Sequence, residues 1–320
     1  METIKSFYKN KRVLITGGTG YLGRLIEKKL KECSSEVILT TTLKEKENIS
    51  ENVYYVDYKN SENLKSVLEG VNIIFHLAAQ TSAYKSEDHP LFDLNSNVVP
   101  LINLVSVSRE LNLKPALVFA STVTIYGLQD LAKFSESNDS SPTTVYDMNK
   151  LIGENYIKFF SKKGYIRGCS LRLANVYGPG LRESSSDRGV INKMVKMAVA
   201  GNELSIYGDG NFVRDYVFNE DVALAFLHAG AYAANEKGEI FNVCSGEGKT
   251  FRDVIDIITK KVFELKGTKI NVNFMEFPKM SLDIEKRNFV GNWQKLKKTS
   301  GWTPKVNINE GIEKTIESCL

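Results

Sequence analysis

Cysteine is scarce in this chain: four residues in 320, at positions 33, 169, 244 and 319, with no Cys-x-x-Cys spacing among them. That spacing argues against a thiolate zinc cage or a dithiol redox pair, and reduced structural thiols are the expectation for all four. Histidine is scarcer still. His76, His89 and His228 lie far apart in the sequence, so no metal site is expected. No stretch approaches the roughly 18 consecutive apolar residues of a membrane span. The N-terminal residues are polar, without the apolar core or cleavage site of a signal peptide. Neither sign of charge dominates: 42 basic residues face 38 acidic ones, and the net +4 is spread along the chain. A nucleic-acid footprint needs a basic stripe on one face, and the densest basic stretch, residues 5–12, reads as a solvated leader. Linkers, repeats and low-complexity tracts are also missing. What remains is a protein expected in the cytoplasm, with no nucleic acid, membrane or metal among its partners.

The hydrophobic share of 42% and charged share of 25% are those of an ordinary globular protein. Short apolar runs at 13–16, 37–39, 53–56, 73–79, 117–120 and 169–173 alternate with helical periodicity, as in the Leu22, Leu25, Ile26 and Leu30 spacing. Ser61 is expected to cap a short helix that stops at Gly70, and a long one over 91–111 to kink or break at Pro100. Strands alternating with helices predict an α/β fold with a doubly wound parallel sheet. Beyond Val176 the pattern loosens into short strands at 204–207, 213–218, 241–243 and 270–274. Helices are expected from Val190 and Asp221, with a capping box opening another at Thr250 and Asp253. Two regions follow: 1–176 as the dinucleotide-binding domain, with segments of about 208–245 returning to it, and 177–320 as mainly a smaller, interwoven substrate-binding lobe.

Gly17-Gly18-Thr19-Gly20-Tyr21-Leu22-Gly23 lies between the first strand and the first helix, the context that makes a glycine pattern specific. Gly17, Gly20 and Gly23 permit a tight turn and close approach of the backbone to a pyrophosphate. The helix opening at Tyr21 and Leu22 offers free N–H groups and the positive end of its dipole. An NAD site of this Rossmann type expects an acidic residue some 20 positions on. Here Thr40-Thr41-Thr42-Leu43-Lys44 stands instead, so Thr41 and Lys44 become candidates for a 2′-phosphate and the choice between NAD and NADP stays open. Asp57, at the end of the third strand, is placed to meet the adenine.

Tyr146 and Lys150 are four apart on a predicted helix, hence on one face. An unperturbed phenol titrates near 10, too high for acid–base work at neutrality. A neighbouring ammonium favours the phenolate, which then takes a proton from a substrate hydroxyl; such catalysis is worth about 10²–10⁴-fold. The lysine also holds the nicotinamide ribose. A lone Tyr-x-x-x-Lys pair is more often a surface aromatic beside a lysine. What lifts this one is the strand ending in Ser121 and Thr122, since strand ends of such sheets face the ligand crevice. Thr122 is the first candidate for the reacting oxygen and Ser121 the second, with Ser121 also a candidate for the cofactor side.

The chain resembles the NAD-dependent epimerase/dehydratase family, the extended branch of the short-chain dehydrogenases, over nearly its whole length. The resemblance is carried by TGGTGYLG (16–23), HLAAQ (76–80), STVTIYG (121–127), YDMNK (146–150), RLANVYGPG (172–180), RDYVF (214–218) and Gly301, Trp302 and Pro304. It implies a nucleotide-activated sugar as substrate, with Tyr146, Lys150 and Thr122 as the catalytic set. Ala78, Ala79 and Leu173 would line the cofactor, and Asn97 would support it. Asn175, Arg214 and Arg287 match positions that grip a nucleotide diphosphate, which suits planar multidentate cations. Ser205 and Tyr207, within 204–207, would frame the nucleobase, with Val190 beside it and Gln80 on the substrate side. A homodimer paired through the Tyr146 helix and the long helix before it is implied too.

Two departures narrow the chemistry. Relatives that dehydrate sugars carry acidic residues after the catalytic threonine, where this chain has Val123 and Thr124. Relatives that invert carbons 3 and 5 place a cysteine nearby, and none is present. Reversible redox chemistry at one hydroxyl-bearing carbon, by analogy carbon 4, remains. A 4-epimerase with retained NAD and an NADPH-dependent 4-keto-sugar reductase both fit. The complete epimerase-like framework favours the first and the Thr40–Thr42 stretch the second. A non-catalytic dinucleotide-binding scaffold is the rival of another class, and the survival of Thr122, Tyr146 and Lys150 together argues against it.

Overall fold

Arg12–Thr16 forms β1, and a parallel sheet is laid down on both sides of it. The computed structural model describes residues 2–47, 50–180, 189–235 and 238–320. β2 (Glu36–Thr41), β3 (Val53–Tyr55), β4 (Ile73–His76), β5 (Ala116–Thr122) and β6 (Arg167–Leu173) follow in chain order. The chain then leaves through β7 (Asn175–Tyr177), β8 (Leu204–Tyr207) and β9 (Val213–Phe218), and returns with β10 (Glu239–Val243). β11 (Gly248–Thr250) and β12 (Val272–Met275) complete the strands. The main sheet has seven strands in the order β10-β6-β5-β4-β1-β2-β3, all parallel. The return of β10 places part of the later sequence back against β6. Three strands, β11-β9-β7, form one smaller sheet, and β12-β8 form another.

The apolar runs explain this arrangement: strands buried on both faces read as continuous hydrophobic stretches and need helices on either side. One face is covered by helices Tyr21–Lys31 and Asn219–Ala233, through Ile26, Leu30, Val222 and Phe226. The other is covered by Ser61–Leu68, Val99–Glu110 and Val145–Lys162, through Leu64, Leu104, Ile157 and Phe160. A third cluster joins helices Val190–Val199, Phe251–Lys266 and Ile308–Glu317 around β8 and β9.

Several local expectations find their physical reason. β4 ends at His76 rather than running to Ala79, because the Thr16 hydroxyl accepts the N–H groups of Leu77 and Ala78, both at 3.1 Å. The stretch 91–111 is two helices, Pro90–Asn97 and Val99–Glu110, with Pro100 in the first turn of the second, where its missing N–H has no intrahelical partner to lose. Asn60, one residue before Ser61, caps its helix by accepting from Glu62 N–H at 3.0 Å. The Thr250–Asp253 capping box forms in both directions. The basic leader is not merely solvated. Residues Glu2–Tyr8 form a helix that buries Ile4 and Tyr8, and the Tyr8 hydroxyl donates to the Leu227 carbonyl at 2.7 Å.

Candidate active site

The carboxyl ends of β1, β4 and β5 open into a cleft of about 1310 Å³ that runs from the glycine turn to the smaller sheets. The strand order turns back between β1 and β4, the point at which open α/β sheets hold ligands.

The glycine turn is built tightly. Gly17 takes φ +64°, and a Cβ there would stand 2.9 Å from Ala78 N. Gly18 N–H donates to the Thr40 carbonyl at 2.9 Å, tying the turn to β2. A Cβ on Gly23 would meet the Gly18 carbonyl oxygen at 2.6 Å, so that glycine lets helix and turn touch. Gly20 differs: a Cβ there meets only the Gly17 oxygen, at 3.1 Å. The helix Tyr21–Lys31 has no side-chain cap and no acid in its first turn, so its leading N–H groups face the cleft without a protein anion. An extended pyrophosphate fits this open helix start and the bare backbone before it.

Every cofactor residue expected from the sequence except Lys44 lines the cleft: Gly17, Gly20, Tyr21, Leu22, Gly23, Thr41, Asp57, Ala78, Ala79, Ser121, Tyr146, Lys150 and Leu173. Lys44 opens a short 3₁₀ turn, Lys44–Lys46, and is not among the lining residues; two positions on, Lys46 lines the cleft in its place. Glu45 stands in the same turn, but no carboxylate of segment 42–47 lines the cleft. Thr41 is buried, accepts the Leu43 N–H at 3.2 Å, and lies 3.3 Å from the Thr19 hydroxyl. Asn97 stands behind the wall, buried, with its amide donating to Asp93.

The Tyr146 helix is pinned at its start. Thr144 accepts Asp147 N–H at 3.1 Å, Ser86 accepts Tyr146 N–H at 3.0 Å, and Glu87 accepts Val145 N–H at 2.8 Å. These caps satisfy donors that a helix start otherwise leaves open. Further along, Gly153 lets the helix lie on β5, since a Cβ would come 2.6 Å from the Phe119 ring. Lys150 is thereby held against the strand, donating to the Ala120 carbonyl at 2.9 Å. Its ammonium lies 5.8 Å from the Tyr146 ring centroid and 4.9 Å from that of Phe119. His76, behind Phe119, is pushed down to about 3 by burial and then by the Lys150 charge, and stays neutral. Ser121 donates to Glu154 at 2.6 Å, and Glu154 is paired with Arg172 at 2.7 Å in full burial.

The expected substrate residues Gln80, Thr122, Asn175, Val190, Ser205, Tyr207, Arg214 and Arg287 also line the cleft. Their bonding separates them. Gln80 is committed internally, donating to Ser82 O and Asp93 Oδ1, both at 2.7 Å, and accepting from Ser82 N–H. Arg214 donates to the carbonyls of Val213, Glu285 and Arg287, using three of its five N–H groups. Arg287 donates to the Ile284 carbonyl and to Asn175 Oδ1 at 3.2 Å. Arg214 thus reaches the Arg287 backbone while the Arg287 side chain reaches Asn175, and both arginines line the cleft.

Some lining residues had no signal in the sequence. Phe212 and Phe277 join the expected Tyr207 in an aromatic group, with the Tyr207 and Phe212 ring centroids 6.2 and 6.4 Å from that of Phe277. Thr124 and Asp147 also face the cleft. Asp147 sits beside Tyr146, and its pairing with a hydroxyl could have been read only with the fold in hand. Among the described residues, no cluster of three or more His, Cys, Asp or Glu could hold a metal, and no helix is long and apolar enough to cross a membrane.

With this geometry established, comparison with known proteins is consistent. The sequence profile of the NAD dependent epimerase/dehydratase family matches residues 13–244. A UDP-glucose 4-epimerase of Mycolicibacterium smegmatis is 30% identical over 96% of this chain and 97% of its own length. The fold is similar to that of the Thermotoga maritima UDP-glucose 4-epimerase solved with UDP-glucose, with a TM-score of 0.85 and 28% identity over 96% of this chain and 98% of that one. It is also similar to a Thermus thermophilus UDP-glucose 4-epimerase solved with NAD, with a TM-score of 0.83 and 29% identity over 96% and 98% of the two chains.

Proposed function

Because the chain belongs to the NAD dependent epimerase/dehydratase family, we propose that it is a nucleotide-sugar 4-epimerase acting on a UDP-hexose, with Tyr146 as its acid and base. The observation that carries this reading is the convergence of Tyr146, Lys150 and Thr122 with the glycine turn and two arginines on a single cleft. Gly17, Gly20 and the start of the Tyr21 helix would hold the dinucleotide pyrophosphate, and Lys150 the ribose beside the nicotinamide. When bound, the nicotinamide supplies the reversible two-electron chemistry at the sugar carbon. Tyr146 takes the proton of the carbon-4 hydroxyl and later returns it, and Thr122 bonds the same oxygen. Arg214, Arg287 and Asn175 take the diphosphate, and Ser205 and Tyr207 border the base. A sugar ring whose nucleotide is anchored through its diphosphate and base is free to present either face, as epimerisation requires.

A specific observation keeps a second reading: β2 ends in Thr41 and Thr42 follows it, with Lys46 on the cleft and no carboxylate there, which favours a 2′-phosphate. An NADPH-dependent 4-keto-sugar reductase would use the same acid. Mass spectrometry of the dinucleotide released on denaturation, with NMR of UDP-glucose and UDP-galactose interconversion, separates the two. Stoichiometric NAD with interconversion supports the epimerase. Empty protein that prefers NADPH and leaves UDP-glucose unchanged supports the reductase and removes the first reading. A homodimer belongs to the proposal as well. Exposed Leu91, Met148 and Phe159, on helices Pro90–Asn97 and Val145–Lys162, support it. Sedimentation equilibrium giving a monomer mass at micromolar concentration would remove that part.

A further inference from the structure

Behind the cleft wall lies a carboxylate held by amides alone. Asp93, fully buried on the helix Pro90–Asn97, accepts from Gln80 at 2.7 Å and Asn97 at 2.9 Å through Oδ1, and from Asn149 at 2.7 Å through Oδ2. Among the described residues no lysine, arginine or histidine bonds it. Three N–H donors satisfy a buried carboxylate without an opposite charge. Because an ionised carboxylate only accepts, it also fixes which way each of the three amides is turned.

Gln80 uses both amide hydrogens internally, one on Asp93 and one on the Ser82 carbonyl at 2.7 Å, while its oxygen takes the Ser82 N–H. It lines the cleft yet has no donor left for a ligand. Ser82 caps the helix Ala83–Asp88 by accepting the Lys85 N–H at 3.1 Å. That helix presents Ser86 and Glu87 to the N–H groups of Tyr146 and Val145. Asn149 follows one turn later, between Tyr146 and Lys150. The bonds therefore close a ring: Asp93 to Gln80, Gln80 to the helix 83–88, that helix to the start of the Tyr146 helix, and Asn149 back to Asp93. The turn that carries Tyr146 is gripped at both ends, at 145–146 and at 149.

We propose that Asp93 is a positioning residue for the acid–base group. Through Asn149 it fixes the Tyr146 turn against the loop 80–82, and Gln80 serves the reaction through this placement rather than by touching the sugar. The inference rests on the reading of Tyr146 as acid and base. A reacting group misplaced by about 1 Å can lose about 10²-fold in rate. The phenol oxygen stands at the far end of a long side chain, so a small tilt of its helix turn moves it furthest. A turn held at both ends removes that tilt.

A reciprocal exchange tests it. Asn149→Asp sets two carboxylates against each other and should lower kcat about 10²-fold, with the KM for UDP-glucose within about twofold. Adding Asp93→Asn should bring kcat back to within about tenfold of wild type. The amide then at position 93 accepts from Gln80 and Asn97 through its oxygen and donates to the carboxylate at 149. Asp93→Asn alone, where Asn149 can turn its amide over to accept, should stay within about threefold of wild type. The charge at 149 is common to the first two variants, so the recovery reads the bond and not the field of that charge. Rates are referred to the dinucleotide-binding stoichiometry from calorimetry, which keeps partial unfolding out of kcat. A double variant no faster than Asn149→Asp, or wild-type turnover in Asn149→Asp, overturns the proposal. If Asn149→Asp does not fold, Asn149→Ala takes its place, with kcat about tenfold lower at unchanged KM; wild-type kinetics there overturn it equally. The second arm needs no ligand. With 3-fluorotyrosine incorporated and Tyr146→Phe identifying the signal, the Tyr146 fluorine resonance should shift in Asn149→Asp and return towards its wild-type position on adding Asp93→Asn. A resonance indifferent to Asn149→Asp overturns the proposal. If Tyr146→Phe turns over normally, or the wild type acts on neither UDP-glucose nor UDP-galactose, the epimerase reading has failed, and the fluorine spectra alone decide whether Asp93 places Tyr146.

Discussion

The two walls of the cleft are made differently. On the side proposed for the dinucleotide, each group hangs from regular structure: the glycine turn from the Thr40 carbonyl, Lys150 from the β5 backbone, Tyr146 from a helix with three capped N–H groups. On the side proposed for the substrate the strands are only three to six residues long, and Arg214 and Arg287 bond backbone carbonyls of the short 3₁₀ turn Asp283–Lys286 and of Arg287 just after it. The first wall is preformed, and reacting groups held by a ladder lose little freedom on binding. The second is a set of exchangeable bonds, which suits a lobe that reads the variable part of a ligand.

The comparison can be broken at its firm end first. Tyr146→Phe should lower turnover by about 10²–10⁴-fold while dinucleotide binding, followed by calorimetry, stays near wild type; retained turnover would take Tyr146 out of the chemistry. Glu154→Ala strands the buried Arg172 guanidinium under β5 and β6 and should cost about 3–5 kcal/mol in urea unfolding. A loss below about 1 kcal/mol would mean that the ion pair is replaceable by neighbours such as Ser140. The glycine turn offers a contrast within one loop. Gly23→Ala drives a Cβ into the Gly18 backbone and should lower thermal stability, whereas Gly20→Ala, whose Cβ presses only on the Gly17 oxygen at 3.1 Å, should cost less stability and weaken dinucleotide binding. Equal stability for the two would contradict the assignment of Gly20 to the ligand.

At the looser wall, Arg214→Ala should raise the KM for a UDP-hexose about tenfold with little change in kcat, and should expose segment 282–287 to proteolysis. An unchanged KM would remove it from the diphosphate site. The smallest effect is that of pH. His76 is neutral when folded, with its pKa pushed to about 3, while an unfolded imidazole binds a proton near 6.5. The unfolded state therefore takes up protons first as pH falls. Stability should drop by about 1.4 kcal/mol per pH unit between about 6.5 and 5, with His228, also lowered by burial, adding to the slope. His76→Gln should flatten that slope, as urea midpoints across the range will show.

Legibility in the sequence follows the same divide. The glycine turn, the Tyr146–Lys150 spacing and the apolar runs of β1, β4 and β5 stand out because local rules shape them. Lys44 illustrates the limit: composition pointed to a lysine after β2, but the 3₁₀ turn brings Lys46 to the cleft. Gln80 illustrates another, since its place on the cleft was foreseen while its commitment to Asp93 and Ser82 was not. β7 and β11, three residues each, are too short to carry a period of their own.

By itself the sequence determined the strand-and-helix alternation, the glycine turn between β1 and its helix, and the placing of Tyr146 and Lys150 on one helix face, because helical pitch, strand pleat and glycine's freedom act over a few neighbouring residues. Only the tertiary structure decided that Arg214 and the Arg287 backbone, 73 positions apart, share a wall, and that Asp147 answers Thr124 across 23. Such meetings depend on how the whole sheet twists and how its helices pack, and no local spacing records them.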